Sequence, residues 1–154
     1  MTRDDPEAGR ALRRSSECDM KREFYQKTVA HVNRKAWWHV PPRDPGGYKK
    51  RGKFLASTFK EAEFWGRPLD EPQRVLIARP LLGDEQTIEK KLFGRRLSTS
   101  DITMEERWRL DAKVKQTALA HGYDSVVLMT PKAFAELKRK GKIPRSLELN
   151  IFKW

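Results

Sequence analysis

The chain has 154 residues, enough for one compact domain with a hydrophobic core. Apolar residues make up only 38% of it, charged residues 35%, and 33 Lys and Arg against 21 Asp and Glu give a net charge of +12. Such a surplus of positive charge favours polyanionic partners, nucleic acid first and an acidic protein second. The single cysteine, Cys18, excludes an intrachain disulfide and a metal site built from cysteines.

The sequence has no membrane or secretion signal. No stretch approaches the ~20 apolar residues of a membrane-spanning helix, and the N-terminus lacks the apolar segment of a secretory signal. We therefore expect a soluble, cytoplasmic protein without a membrane partner. Residues 1–20 mix both charges and carry almost no large apolar side chains, so they are predicted to form a flexible tail. Residues 21–154 are predicted to form one domain.

Hydrophobic spacing and turn residues divide the first part of this domain into alternating helices and strands. Apolar residues between positions 24 and 32 recur at helical spacing and predict an amphipathic helix. The stretch AWWHV, residues 36–40, predicts a short strand that ends at two prolines, and residues 43–52 predict a basic loop containing glycines. GKFLAST, residues 52–58, predicts a second strand, and the capping-box pattern after it predicts a short helix.

The second part of the domain continues this alternation. The predicted elements are a strand over 74–80, a short helix and loop within 83–102, the longest helix over 104–121, a strand over 124–129, a helix over 131–140 and a strand over 146–152. The sequence thus predicts an α+β fold with roughly five short strands. In the last strand, alternation places Leu147, Leu149 and Ile151 on one face and Glu148, Asn150 and Phe152 on the other.

Common catalytic signatures do not occur. The sequence contains no phosphate-binding glycine-rich loop followed by Lys-Ser or Lys-Thr, no GxGxxG and no GxSxG. The three histidines, His31, His39 and His121, lack the spacing of metal ligands, so no metal is expected. The candidates that remain are single residues on or near the predicted strands.

Several short motifs nevertheless occur in a distinctive order. WWHV carries a histidine on the first strand, GKFLASTFKEAEFWG follows, HGYDSVVL joins a helix to a strand, and SLELNIF carries a glutamate in the last strand. Over residues 35–154 this order resembles the ADP-ribosyltransferase fold, in its His-Tyr-Glu branch. The resemblance implies a small α+β domain with a split β-sheet core and flanking helices, and NAD as substrate without a metal.

The resemblance also implies roles for individual residues. Glu148 corresponds to the catalytic glutamate, and His39 to the histidine that binds the adenosine-side ribose and takes part in catalysis. Trp65 takes the place of the tyrosine that stacks on nicotinamide, and Trp offers a strong cation–π face for that charged ring. His39, Trp65 and Glu148 are therefore expected to line one cleft. The other residues assigned to NAD binding are Phe64, Ser57, Thr58 and Arg43.

The sequence departs from the pattern of the branch at two positions, since Val40 replaces the glycine after the histidine and Trp65 replaces tyrosine. The stretch FLAST is also similar to the Ser-Thr-Ser motif of the Arg-Ser-Glu branch, with Ser57 as its serine. That branch has arginine where this chain has His39, and a second acid where it has Ser146. The His-type branch therefore fits better.

The resemblance implies an NAD-dependent ADP-ribosyltransferase that modifies RNA, DNA or an acidic protein, as a toxin, phage or defence effector would. The alternative is a basic module without catalysis that binds nucleic acid. Two basic runs are predicted to contact nucleic acid: Lys49, Lys50 and Arg51 in the first, and Lys138, Arg139, Lys140 and Arg145 in the second. We expect a monomer, unless an antitoxin or a host partner binds it.

Overall fold

The computed structural model describes residues 20–44 and 46–154, so Cys18 and the predicted tail up to residue 19 lie outside the described residues, whereas Met20, the last residue of that tail, packs against the core. The helices are α1 (Arg22–Arg34), α2 (Gly47–Arg51), α3 (Phe59–Ala62), α4 (Glu85–Phe93), α5 (Met104–Ala120) and α6 (Pro131–Lys140). The strands are β1 (Ala36–His39), β2 (Lys53–Ala56), β3 (Gln73–Arg74), β4 (Pro80–Gly83), β5 (Ser125–Leu128) and β6 (Glu148–Ile151). A 3-10 turn, Glu63–Trp65, follows α3 directly.

The strands form one mixed sheet in the order β3-β1-β2-β6-β5-β4. Only β4 and β5 run parallel, and every other neighbouring pair is antiparallel. The α+β class is therefore confirmed, while the sheet of the described residues is continuous and not split in two. The last strand, β6, lies in the middle of the sheet between β2 and β5, so its residues face both flanking layers.

Helices cover both faces of this sheet. On one face, Leu55, Val127 and Leu149 pack with residues of α1 and α6 in a buried cluster. On the other face, Leu81 and Val126 pack with residues of α4 and α5. The predicted alternation in the last strand is confirmed, because Leu147, Leu149 and Ile151 belong to the first cluster and Phe152 to the second.

Local capping signals place several helix ends correctly. Thr103 caps α5 in a full capping box with Glu106, and Thr130 caps α6 ahead of Pro131. At α3 the Thr58 Oγ1 accepts the Glu61 N–H at 3.1 Å, but it also donates to the Glu61 carboxylate at 3.0 Å. The Glu61 side chain therefore does not complete a capping box and reaches outward from the start of α3.

The strand predicted over residues 74–80 is wrong. Only its first residue belongs to β3 and only its last to β4, and the segment between them is irregular. Asn33 holds Ile77 through two hydrogen bonds, from the Ile77 N–H and to the Ile77 carbonyl. The Asp124 carboxylate accepts the N–H groups of Ala78 and Arg79. Side chains thus take the backbone groups that a strand partner would have used.

The basic loop predicted over residues 43–52 is also wrong, because it contains the short helix α2. The Asp44 Oδ1 accepts the Gly46 N–H at 3.0 Å ahead of this helix. At its end, the Gly52 N–H donates to the Tyr48 carbonyl at 3.0 Å, and the Lys115 Nζ of α5 donates to the carbonyls of Tyr48 and Lys49. A lysine distant in sequence therefore adds to the local cap at Gly52. Among the described residues, no helix is both long and apolar enough to cross a membrane.

Candidate functional site

A cavity of about 430 Å³ opens where β2 ends, β4 and β5 end and β6 begins. Such a volume suits a small-molecule site. Its chemically active lining side chains are the carboxylates of Glu61, Asp84, Glu85 and Glu148, together with Arg96, Trp65 and Ser146.

Glu148 lies on the face of the sheet that this cavity opens on. Register places it opposite Ala56 of β2 and Leu128 of β5, and both of these residues also line the cavity. No hydrogen bond or ion pair with another described side chain holds its carboxylate. Burial, then repulsion from Asp111 and Glu85, raises the pKa of Glu148 to about 7. The group can therefore exchange a proton near neutral pH.

The other carboxylates of the cavity have partners. Asp84 caps α4 and accepts from the Thr87 N–H and hydroxyl, each at 2.9 Å. Glu85 pairs with the Arg107 guanidinium at 2.7 Å. Glu61 accepts from the hydroxyls of Thr58 and Ser146. These carboxylates line the same cavity as Glu148, but each is held in its position by the hydrogen bonds or the ion pair that it forms with these partners.

A smaller cavity of about 70 Å³ adjoins the first, and Glu148, Glu85 and Leu128 line both. Asp111 of α5 also lines the smaller cavity. Burial raises the pKa of Asp111 to about 6, against the opposing effect of Arg107 and Arg51. Two carboxyl groups with raised pKa values thus line adjoining cavities.

Trp65 lines the larger cavity while 56% of its surface remains exposed to solvent. It ends the 3-10 turn, and Gly66 follows with a φ of +146°, a value that favours glycine. The neighbouring Phe64 ring meets Trp65 edge-on at 4.9 Å between centroids, but Phe64 does not line the cavity. Trp65 therefore offers a flat, accessible ring in the same cavity as Glu148.

Arg96 is the cationic side chain of the larger cavity. Its loop is held by the buried Glu89, whose carboxylate accepts from the N–H groups of Leu97 and Ser98 at 2.6 and 2.7 Å. The Ser98 hydroxyl donates to the same carboxylate at 2.6 Å. A buried side chain of α4 therefore fixes the position of Arg96 at the cavity.

His39 lies outside both cavities. It is 2% exposed, and register places it opposite Leu55, so it faces the side of the sheet opposite to Glu148. Its Nδ1–H donates to the Phe54 carbonyl at 2.7 Å, and its Nε2 accepts from the Tyr48 hydroxyl at 2.8 Å. Burial lowers the pKa of His39, which keeps the ring neutral at pH 7. Of the three residues expected to line one cleft, only Trp65 and Glu148 line the larger cavity. His39 is buried on the other face of the sheet.

The remaining residues assigned to NAD binding have other contacts. Ser57 is buried and bonds both backbone groups of Leu147, joining the end of β2 to the chain before β6. Thr58 caps α3, and Arg43 is exposed and lines neither cavity. Ser57 and Thr58 thus shape the cavity from behind without facing it.

The two predicted basic runs lie on different sides of the molecule. Lys49, Lys50 and Arg51 belong to α2, which packs against α5. Lys138, Arg139 and Lys140 belong to α6, which covers the opposite face of the sheet. Arg145 follows α6 and is exposed. One strand of nucleic acid therefore cannot be bound by both runs through a single flat face.

Sequence patterns alone do not mark Glu61, Glu85, Asp111 or Arg96 as site residues. The first two stand in the first turns of helices, where acidic residues are ordinary because they complement the helix dipole. Asp111 sits within the long α5 among many charged residues. These residues come together around the two cavities only because the sheet order brings α4 and α5 over Glu148.

No group of three or more His, Cys, Asp or Glu side chains in residues 20–44 and 46–154 is placed to hold a metal ion. Comparison of the chain with protein-family models, with curated proteins and with solved structures gave no match.

Proposed function

We propose that this protein cleaves the bond between ribose and nicotinamide in NAD and transfers ADP-ribose to an acceptor. The observation that carries the proposal is the presence of Glu148 and Trp65 in one cavity, although they are far apart in sequence. The order of motifs that resembles ADP-ribosyltransferases supports the same substrate. The position of His39 outside the cavity means that the dinucleotide would be held without it.

The chemistry needs negative charge near the anomeric carbon. The C1–N bond breaks, its electron pair remains on the nicotinamide nitrogen, and the ribose passes through an oxocarbenium-like state. An acceptor oxygen or nitrogen then forms the new bond to C1 and loses its proton. Ionised Glu148 would stabilise the developing cation, and the fixed carboxylates of Glu61 and Glu85 would add to the negative potential.

The substrate also needs recognition of its ring and its pyrophosphate. The exposed Trp65 ring offers a cation–π contact to the positively charged nicotinamide, worth about 0.5–2 kcal/mol. Arg96 supplies the positive charge in the larger cavity that a pyrophosphate requires. Arg96 would thus bind the pyrophosphate in place of Arg43, which lines neither cavity, and Trp65 keeps the role that the resemblance implies for it.

Glu148→Gln tests the proposal, because it keeps the shape of the side chain and removes its charge. We expect nicotinamide release from NAD to fall by about 10²- to 10³-fold, while the Kd for NAD, measured by calorimetry, changes by less than about threefold. Glu63→Gln is the matched control, since Glu63 is exposed in the 3-10 turn beside Trp65 and does not line the cavity.

The unmodified protein should be assayed at saturating NAD with single-stranded nucleic acids and with proteins as acceptors. If it releases no nicotinamide under these conditions, the proposal is overturned. An active Glu148→Gln variant would assign the chemistry to another residue.

A basic module without catalysis remains the second candidate, and the position of His39 outside the cavity favours it. This candidate predicts that Glu148→Gln changes nothing except stability. It also predicts that NAD does not bind in the larger cavity, which the same calorimetric titration measures.

A further inference from the structure

One side of the molecule, formed by α2, α5 and the residues after β6, combines exposed tryptophans with cations. Trp108 is 41% exposed and Trp154 is 62% exposed. The Arg51 guanidinium lies 4.9 Å from the Trp108 ring centroid, and the Lys53 ammonium lies 5.8 Å from that of Trp154. We call this region the tryptophan surface, which comprises Lys49, Lys50, Arg51, Lys53, Trp108, Lys115 and Trp154.

Helix α2 joins the two tryptophans into one surface. Tyr48 and Arg51 are three residues apart and therefore lie on the same side of this helix. The Tyr48 ring lies 5.5 Å from the Trp154 ring, and Arg51 covers Trp108. Lys115 of α5 donates to the carbonyls at the end of α2 and holds the helix in place. The surface is thus built on packed elements.

The charges of this surface are mostly uncompensated. Lys49 and Lys50 are exposed and form no ion pair with another described residue. The acid that interacts with Arg51 is Asp111, which is half-buried and lines the smaller cavity. The surface therefore presents positive charge and two aromatic rings to solvent, with its negative charge set back from it.

We propose that the tryptophan surface binds single-stranded nucleic acid. Unpaired bases expose flat faces that stack on aromatic rings, at about 1–3 kcal/mol per base, whereas bases in a duplex are already stacked. Lysine and arginine side chains beside the rings pair with phosphates and release counterions. The α6 run has cations as well, but its aromatic ring beneath Lys138 is the buried Phe134, which no base can reach.

The surface adjoins the candidate site. Trp108 follows Arg107, which lines the smaller cavity next to Glu148, and Arg51 acts on Asp111 in the same cavity. A strand held on the surface would therefore lie near the residues that line this cavity. The role of that strand as the ADP-ribose acceptor rests on the proposed function, whereas its binding does not.

Fluorescence anisotropy with labelled single-stranded DNA and RNA of about 20 nucleotides, in the absence of NAD, tests the binding. We expect Trp108→Ala to weaken it about tenfold, because one base no longer stacks. Lys49→Glu with Lys50→Glu should weaken it for every sequence, and should flatten the log–log salt dependence by about 0.7 for each phosphate that is no longer neutralised.

Arg139→Glu with Lys140→Glu is the matched control, because it reverses two exposed charges on the opposite face of the sheet. We expect this control to change the affinity by less than about twofold. Equal losses of affinity in both pairs, equally tight binding of a duplex, or capture of an acidic protein without any binding of oligonucleotide would overturn the inference. Because the tryptophan variant alters packing, the lysine pair is an independent measurement.

Glu148→Gln should bind the oligonucleotide as tightly as the unmodified protein. Oligonucleotide binding without nicotinamide release would overturn the proposed function and leave the tryptophan surface intact. Nicotinamide release without oligonucleotide binding would leave the proposed function intact and overturn the inference on the tryptophan surface.

Discussion

Glu148 differs from the other carboxylates of its cavity in having no fixed partner among the described side chains. Asp84, Glu85 and Glu61 each accept hydrogen bonds that hold helices or loops, whereas Glu148 lies between two cavities with only electrostatic neighbours. Ionisation of a group in this position costs the protein stability, and the same unfavourable surroundings are typical of groups that transfer protons in active sites. The protonation of Glu148 should therefore control both activity and folding.

The first prediction concerns the pH dependence of activity. If ionised Glu148 is required, kcat/KM for nicotinamide release should rise with pH and level off, with a midpoint near the pKa of about 7. Asp111→Asn should move this midpoint to lower pH, because burial still raises the pKa of Glu148 but the repulsion from Asp111 is removed. Initial rates between pH 5 and pH 9, about two units on each side of neutrality, measure both midpoints.

Asp101→Asn serves as the control for this shift, since Asp101 is exposed and lines neither cavity. An unchanged midpoint in Asp111→Asn would mean that Asp111 acts on folding alone. A midpoint near 4.5 in the unmodified protein would show that Glu148 is solvated like an ordinary glutamate.

The second prediction concerns Trp65. Trp65→Ala removes the aromatic ring from the cavity, so KM for NAD should rise about tenfold while kcat changes little, as expected when an interaction that only binds the substrate is removed. Trp65→Phe should retain part of the affinity because a smaller ring remains. Phe64→Ala is the matched control, being an exposed neighbour that does not line the cavity. Equal effects at both positions would show that the turn, and not the Trp65 ring, is what matters.

At the scale of elements, side chains that are distant in sequence determine the backbone conformation of several segments. Glu89 of α4 accepts three hydrogen bonds from the loop that carries Arg96, and its carboxylate is buried. Asp124 and Asn33 act in the same way on the irregular segment before β4. Side chains, and not a ladder of backbone bonds, therefore hold both the loop that carries Arg96 and the segment before β4.

The third prediction follows for Glu89. Glu89→Ala leaves the part-buried N–H of Leu97 and the buried N–H and hydroxyl of Ser98 without an acceptor, so the free energy of unfolding should fall by about 2–4 kcal/mol. Urea unfolding measures this decrease. Glu71→Ala, at an exposed loop position, should change the free energy by less than about 0.5 kcal/mol. A decrease at Glu89 no larger than at Glu71 would show that water replaces the carboxylate in the loop.

The sequence predicts well what depends on neighbouring residues. The caps at Thr103 and Thr130 and the glycine at Gly141 define helix ends because their partners lie within one turn. It predicts poorly what depends on register. His39 and Glu148 both stand on apolar strands, and only the pairing of β1 with β2 and of β2 with β6 turns them to opposite faces. The partners of α2 and of residues 74–80 are likewise remote in sequence, so local patterns do not predict either segment correctly.

At the scale of the whole molecule, positive charge surrounds a site that is itself acidic. The net charge of +12 is distributed over α2, α6 and the loops, while Glu61, Asp84, Glu85 and Glu148 face the larger cavity. Buried carboxyl groups with raised pKa values take up protons on folding. The free energy of unfolding should therefore fall as pH rises, whereas a carboxylate whose pKa is lowered in the fold would make it rise.

The fourth prediction gives the direction in which the free energy of unfolding changes with pH. Glu148 has a pKa of 4.5 when solvated and about 7 in the fold, so the folded state holds more protons between these values. The free energy of unfolding should fall as pH rises through this window, and Glu148 alone should account for about 2–3 kcal/mol. Thermal or urea unfolding from pH 4.5 to pH 8 measures the change.

Glu148→Gln separates this contribution from the rest, because glutamine does not titrate. At pH 8, above the pKa of about 7, the variant should be more stable than the unmodified protein, and below 4.5 the two should unfold alike. Equal stability of the two proteins at both pH values would contradict the prediction and mean that water reaches the carboxylate.

The central position of β6 has a consequence for how the chain folds. Residues 53 and 151 are partners in the sheet, so this pairing closes a long loop and should make folding slow. Before β6 docks, β3-β1-β2 and β4-β5 are two separate ribbons, each with an open edge that can pair with another chain. Glu148 begins the strand that joins them. If the proposed function holds, we therefore expect each newly made chain to acquire its catalytic carboxylate only in the final step of assembly, so that folding intermediates are prone to aggregate yet release no nicotinamide.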